Sequence, residues 1–273
     1  MPQRGEGPDF IEALARGLDV IRSFGADHPR LSLTEVAVAT DLARPTARRI
    51  LLTLEELGYV RAIGGGFELT PRVLELGMAY IGAQTLWQIA RPHMEELVAA
   101  TGESSSISQL DGSDIVYVAR VAVPKIIALR VQIGTRFPAV VTSQGKVLLA
   151  ALPPDRLDEV MATPSRSGVE PWVTHSRSQI AAMLREVNAR GWAIADNELA
   201  PGIRSVAAPI RDGQGEVRAA MNVTVNSAET SVKTLTEQHL PHLLKAASAI
   251  SSDWAVWQSR PQLDIAVASG LQI

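Results

Sequence analysis

The stretch Leu42–Val60, LARPTARRILLTLEELGYV, sets Arg44, Arg48 and Arg49 ahead of a ladder of leucines. Ala47, Ile50 or Leu51, Leu54 and Leu57 recur at helical spacing, and Gly58 supplies a stop. The nearest acids, Asp41 and Glu55, stand at the edges of the segment, so the arginines lack partners within it. Such a helix must be buried behind and charged in front. Two arrangements satisfy that demand: a solvated cationic face, or a face that meets a polyanion outside the chain.

The flanking sequence bears on the choice. Phe10–Phe24 places Ile11, Leu14, Leu18, Ile21 and Phe24 on one helical stripe. Pro29 breaks the chain, and Ser32 or Thr34 can cap a short second helix with Glu35 in its first turn. Asp41-Leu42 then makes a tight connection into the arginine helix. That helix is expected to start near Arg44, because Pro45 is tolerated only in a first turn. After Gly58, YVRAI and FELT flank Gly64-Gly65-Gly66, which reads as a hairpin. Three helices and a hairpin, with a tight turn between the second and third helices, is the order of a winged helix-turn-helix. The third helix of that unit lies in the DNA major groove. Arg44, Thr46, Arg48 and Arg49 then form the reading end, and Arg61 on the wing lies near a phosphate. The net charge of −3 does not announce a nucleic-acid binder, but a local basic patch can act while acids elsewhere set the total.

Residues 71–101 are expected to form a helical connector, unbroken until Pro92. Its apolar excess, including Leu86, Trp87 and Ile89, points to packing on a partner chain or domain. From Gly102 the character changes. SSISQL and DIVYVARV flank Asp111-Gly112, a strong hairpin signal, and IIALRV follows as a further strand. Helices are expected at Gln144–Leu152, Gln179–Arg190 and about Val232–Ser251, with a second hairpin around Asp212-Gly213. Strands interleaved with helices indicate an α+β domain. The expected organisation is therefore 1–70 DNA-binding, 71–101 connector, 102–252 sensor and 253–273 tail.

Composition closes off several chemistries. The 273 residues include no cysteine, which excludes disulfides, thiolate nucleophiles and cysteine-ligated zinc. The start, MPQRGEGPDF, lacks the apolar stretch of a secretion signal, and no apolar run is long enough to span a bilayer. A cytoplasmic address without membrane association is expected. His239 and His242 bracket Pro241, and His93 stands three before Glu96. Neither arrangement converges the ligands zinc needs, so no metal and no cofactor are expected. Ser143-Gln144-Gly145-Lys146 looks like a phosphate loop only superficially, because Val140 and Val147 replace residues the motif requires. A polar turn opening a helix is either a plain cap or an anion site. There is no GxSxG elbow for serine hydrolysis.

A winged helix-turn-helix, a connector, and a domain carrying TSQGKVLLAAL (Thr142–Leu152) and ELAPGIRSVAAPIRD (Glu198–Asp212) resemble IclR-type transcriptional regulators. PRLSLTEVA, RRILLTLEELGYV, LTPRVLELG and DIVYVARV look closest to the branch controlling protocatechuate, 4-hydroxybenzoate and β-ketoadipate catabolism. The resemblance implies a DNA reader joined to a GAF-like effector domain, acting on double-stranded operator DNA as a dimer or dimer of dimers. It assigns the effector pocket to Ser143, Gln144, Ser205, Asn222 and Thr224. Asn222 and Thr224 alternate on a strand and so share a face, where they either meet a small anionic ligand or satisfy each other. Arg130 and Arg204 are candidate carboxylate partners by chemistry. The competing function is a small-molecule enzyme whose N-terminal helices only dimerise.

Overall fold

The computed structural model describes residues 7–25, 27–82, 85–124 and 131–260. The chain falls into two compact units, Met1–Thr85 and Leu86–Ile273.

The first unit opens with α1 (Glu12–Arg22), a two-residue strand β1 (Arg30–Leu31), α2 (Leu33–Ala39) and α3 (Arg44–Glu56). A hairpin of β2 (Val60–Ile63) and β3 (Gly66–Leu69) follows, then α4 (Leu74–Gly82). Ser32 is the cap of α2. Its Oγ accepts from the Glu35 N–H at 3.2 Å, and the Glu35 carboxylate accepts from the Ser32 N–H at 2.7 Å. Asp41, at φ 53°, makes the turn into α3 with a left-handed backbone that aspartate tolerates. Helix α3 begins at Arg44 with Ala43 as an N-cap that offers no side-chain bond, and Pro45 sits in its first turn. Val20, Phe24, Val36, Ala47, Leu51, Leu54 and Val60 form the core. Leu51, rather than Ile50, takes the innermost place on α3.

The apolar stripe divides. Phe24 is buried and Ile21 half-buried, with Val20, which lies off the stripe, fully buried beside them, while Ile11, Leu14 and Leu18 are 65%, 61% and 48% exposed. Leu14 and Leu18 instead border a groove shared with Ile50, Leu57 and Tyr59. Periodicity found the stripe correctly, but it cannot say which side of an apolar helix meets its own core.

The second unit begins with α5 (Leu86–Thr101) and carries an antiparallel sheet. Its strands are β4 (Ser104–Asp111), β5 (Asp114–Val121), β6 (Arg136–Pro138), β7 (Ala193–Asp196), β8 (Ile203–Arg211) and β9 (Val217–Asn226), in the order β6-β5-β4-β9-β8-β7. Helices α6 (Ser143–Ala150), α7 (Pro154–Ala162) and α8 (Arg177–Arg190) precede β7. After β9 come α9 (Val232–Thr234), a π-helical turn over Leu235–His239, and α10 (Leu240–Gln258). α5 and α10 pack on the sheet and on each other, and α6 packs on the sheet with α8 beside it. Helices on both faces explain why β8 and β9 are buried almost continuously rather than alternately. This is the α+β arrangement expected of the second unit.

The connector departs from expectation. It is two helices, α4 and α5, and Pro92 lies inside α5 without ending it. Burial of Leu86, Trp87, Ala90, Met94 and Leu97 holds α5 together across the proline. Leu86 and Trp87 are buried, as packing on a domain requires, and they offer no apolar surface to a partner chain. Exposed apolar residues stand on α4, where Leu74, Leu76 and Met78 are 69%, 51% and 58% exposed. Strands β1, β6 and β7 and helix α7 were not anticipated. The expected strand IIALRV, except its last residue Val131, and most of the tail lie outside the described residues.

Candidate ligand cavity and nucleic-acid interface

Sheet register explains how the cavity is assembled. On neighbouring strands, directly paired residues point to the same face. Arg120, Ser106, Asn222 and Ala207 pair in one row across β5, β4, β9 and β8. Ser104, Thr224, Ser205 and Ala195 pair in the next row, across β4, β9, β8 and β7. Over these rows sits the start of α6. Thr142 caps it by accepting from the Gly145 N–H at 3.1 Å. Glycine is required at 145 because a Cβ there would meet the Ala139 carbonyl oxygen at 2.0 Å, so no side chain can separate helix from turn.

The rows and the helix start enclose a cavity of about 40 Å³, lined by Ser143, Gln144, Ser205, Asn222 and Thr224. All five residues expected at a pocket thus line the same one. Tyr117, Phe137, Val141, Leu199 and Ile203 provide its apolar wall. Tyr117 and Phe137 meet edge-to-face, with centroids 5.8 Å apart. Burial pushes the Tyr117 phenol up to about 12, so it stays neutral.

Two charged groups also line the cavity, and neither was singled out from the sequence. Arg120 donates to Ser106 Oγ at 2.9 Å and has no carboxylate partner among the described residues. Burial lowers its pKa, offset in part by Tyr117. Glu198 accepts from Lys146 Nζ at 2.5 Å and pairs with His175 Nε2 at 2.7 Å. Lys146 Nζ also donates to the Ile194 carbonyl at 2.9 Å. Desolvation lowers the Lys146 pKa, opposed by Glu198. Arg204, a candidate carboxylate partner on chemistry, is already committed. It is bidentate to Asp196 at 2.8 and 2.9 Å and donates to the carbonyls of Ser227 and Thr230. It is a staple between β8 and the turn after β9. Arg130 lies outside the described residues.

In the first unit Arg44, Arg48 and Arg49 are exposed, and none of the three is ion-paired among the described residues. A helix turns about 100° per residue, so Arg44 and Arg48 lie within about 40° of each other and Arg49 about 100° further round. Thr46 is half-buried and, with Arg49, borders the groove against α1. Arg61 is different. It pairs across the wing with Glu68 at 2.5 Å, and Arg30 on β1 approaches the same carboxylate at 3.6 Å. Two guanidinium groups share one carboxylate, so the wing keeps one net positive charge. Arg30 was missed because β1 is too short to leave a pattern.

Among the described residues no helix is long and apolar enough to cross a membrane, and no cluster of three His, Asp or Glu could hold a metal.

Comparison with known proteins gives a family match in each unit. Residues 13–64 match the IclR helix-turn-helix domain, and residues 78–252 match the C-terminal domain of the bacterial transcriptional regulator IclR. The Pca regulon regulatory protein of Pseudomonas putida is 36% identical over 88% of this chain and 83% of its own. The p-hydroxybenzoate hydroxylase transcriptional activator of Acinetobacter baylyi is 32% identical over 89% of this chain and 91% of its own. A crystal structure of a transcriptional regulator from Rhodococcus sp. RHA1 superimposes with TM-score 0.78 at 46% identity, covering 91% of this chain and all of that one.

Proposed function

The chain belongs to the IclR family of bacterial transcriptional regulators, and we propose that it controls aromatic-acid catabolism in response to an aromatic carboxylate bound in the sheet cavity. The enzyme alternative is set aside, because the N-terminal helices match a DNA-binding family model. Residues 1–70 read operator DNA, 102–252 sense the effector, and 71–101 connect them. The protein works in the cytoplasm as a homodimer or dimer of dimers.

The observation that carries the effector reading is the convergence of donors on one small cavity. Ser143 and Ser205 share one hydrogen bond at 2.7 Å, so one of their two hydroxyl hydrogens remains to donate. Asn222 Nδ2 donates to Thr224 Oγ1 at 2.9 Å, which leaves the Thr224 hydrogen and the second amide hydrogen. Arg120 keeps guanidinium hydrogens beyond the one given to Ser106, and the start of α6 adds positive potential. A surplus of donors with an unpaired cation suits a carboxylate. Apolar Phe137, Val141, Leu199 and Ile203 suit a ring. Protocatechuate and 4-hydroxybenzoate fit both demands, in keeping with relatives named for the Pca regulon and for p-hydroxybenzoate hydroxylase; β-ketoadipate meets the first demand alone.

The cavity of about 40 Å³ is smaller than the roughly 150 Å³ that holds a benzene ring. Ligand entry therefore requires a wider conformer. A ligand shifts an equilibrium only through differential affinity, and the widened state supplies that difference. DNA binding and effector binding must then be linked reciprocally.

On DNA, Arg44 and Arg48 present guanidinium groups able to pair bidentately with guanine, Arg49 and Thr46 flank them, and Arg61 with Arg30 holds phosphate from the wing. The exposed apolar residues of α1 and α4 support self-association.

The test is calorimetric titration of the three acids into wild type and Arg120→Met, with operator mobility shift in parallel. At least one acid is expected to bind wild type, to weaken by about tenfold or more in Arg120→Met, and to change operator affinity. An unaffected Arg120→Met would remove the carboxylate assignment. For assembly, Leu18→Glu is expected to lower self-association by sedimentation; an unchanged oligomer at micromolar concentration would count against the α1 surface.

A further inference from the structure

We infer that Gln144 selects effectors carrying a hydrogen-bond donor, such as a ring hydroxyl, in addition to the carboxylate. This rests on the cavity being the effector site.

Gln144 is 1% exposed, and its carboxamide is fixed by two bonds. Nε2 donates to the Ser106 carbonyl on β4 at 3.0 Å and to the Ala220 carbonyl on β9 at 3.1 Å. The opposite orientation would set Oε1 against two carbonyl oxygens, so the amide has one assignment. Both amide hydrogens are thereby used. Oε1 is left buried with no hydrogen-bond partner among the described residues. Among the residues that line the cavity it is the one buried side-chain atom in that condition.

None of the donors in the rest of the lining is bonded to Oε1. Asn222 Oδ1 accepts from the Ser106 N–H at 3.1 Å while its Nδ2 faces Thr224. Ser143 is turned to Ser205, and Thr142 Oγ1 donates to the Ala139 carbonyl at 3.1 Å. Spare donors in the cavity answer a carboxylate. The spare acceptor, Oε1, belongs to a lining residue and answers the opposite chemistry in the wider conformer that admits a ligand. A ligand with both ends satisfied is a hydroxylated or amino-substituted aromatic acid. Benzoate and β-ketoadipate bring only acceptors and leave Oε1 as it was. A site built around a buried polar group rejects the analogue that cannot pair with it.

The experiment is a calorimetric series on full-length protein with 3- and 4-hydroxybenzoate, protocatechuate, 4-aminobenzoate, 4-methoxybenzoate and benzoate. The tightest donor-bearing acid is expected to bind about tenfold to hundredfold more tightly than benzoate. 4-Methoxybenzoate, which can only accept, is expected to group with benzoate. In Gln144→Met, with fold and oligomer verified by melting and sedimentation, the gap should shrink to about threefold or less. Wild type binding benzoate and every donor-bearing acid within about threefold would overturn the inference while leaving the effector site intact. So would a full gap retained in Gln144→Met. If no acid in the series binds, the effector reading falls and the inference with it.

Discussion

Helices α3 and α6 pose the same problem and solve it oppositely. Each begins with polar and cationic residues on a segment whose buried positions further along are apolar. On α3 the cations Arg44, Arg48 and Arg49 face solvent, unpaired among the described residues, and the N-cap Ala43 offers nothing. On α6 every residue from Ser143 to Leu149 is buried, Thr142 caps the start, and the lysine is held by Glu198 and a carbonyl. On the proposed function, the difference lies in where binding capacity is stored. α3 stores it as exposed charge that costs the fold little. α6 stores it as a network in which nearly every group is already used, so that one unmatched atom and a surplus of donors define the ligand.

This contrast can be broken most severely at α6. Gly145→Ala forces a Cβ into the Ala139 carbonyl and is expected to cost about 3 kcal/mol or more, read as a loss of the sensor's melting transition. Retention of wild-type stability would mean that the helix can move away from the turn. Lys146→Met tests the buried cation. Removing one partner of a buried pair is expected to cost about 3 kcal/mol in denaturant unfolding, since Glu198 keeps only His175. The same kind of charge removal on α3 should behave differently. Arg48→Ala and Arg49→Ala are expected to change stability by no more than about 0.5 kcal/mol. They should weaken operator binding by about 1–3 kcal/mol if the arginine reads a base, or reduce the salt slope by about one if it holds phosphate. Unchanged operator affinity in both variants would refute the reading face. A single modest effect is expected at the support of α3: Ser32→Ala removes the capping box of α2 and should cost about 1 kcal/mol in thermal unfolding, with DNA contacts intact.

The two units were unequally legible for a physical reason. In the first, the signals are local: Ser32 and Glu35 cap within one turn, Pro45 fixes the start of α3, and three glycines make the wing. In the second, α7 was overlooked although Pro154 and Asp155 mark a helix start. β6 and β7 were overlooked because strands of three and four residues gain their stability from neighbours rather than from pattern. In the sequence Arg120 carries no mark of its own, and Arg204 is a candidate carboxylate partner by chemistry. Pairing distances reversed those roles.

By itself the sequence determined the order of helices and wing, the polar start of α6, the absence of cysteine chemistry, and the cationic face, because each depends on residues within a few turns of one another. The tertiary structure alone decided which face of α1 is buried, that Pro92 leaves α5 whole, that Arg204 is spent on Asp196, and that Arg120 joins residues far along the chain around one cavity. Those outcomes follow from strand register and from competition for hydrogen-bond partners. A register shifted by one residue would turn Asn222, Thr224 and Ser205 to the opposite face, and no local pattern encodes that choice.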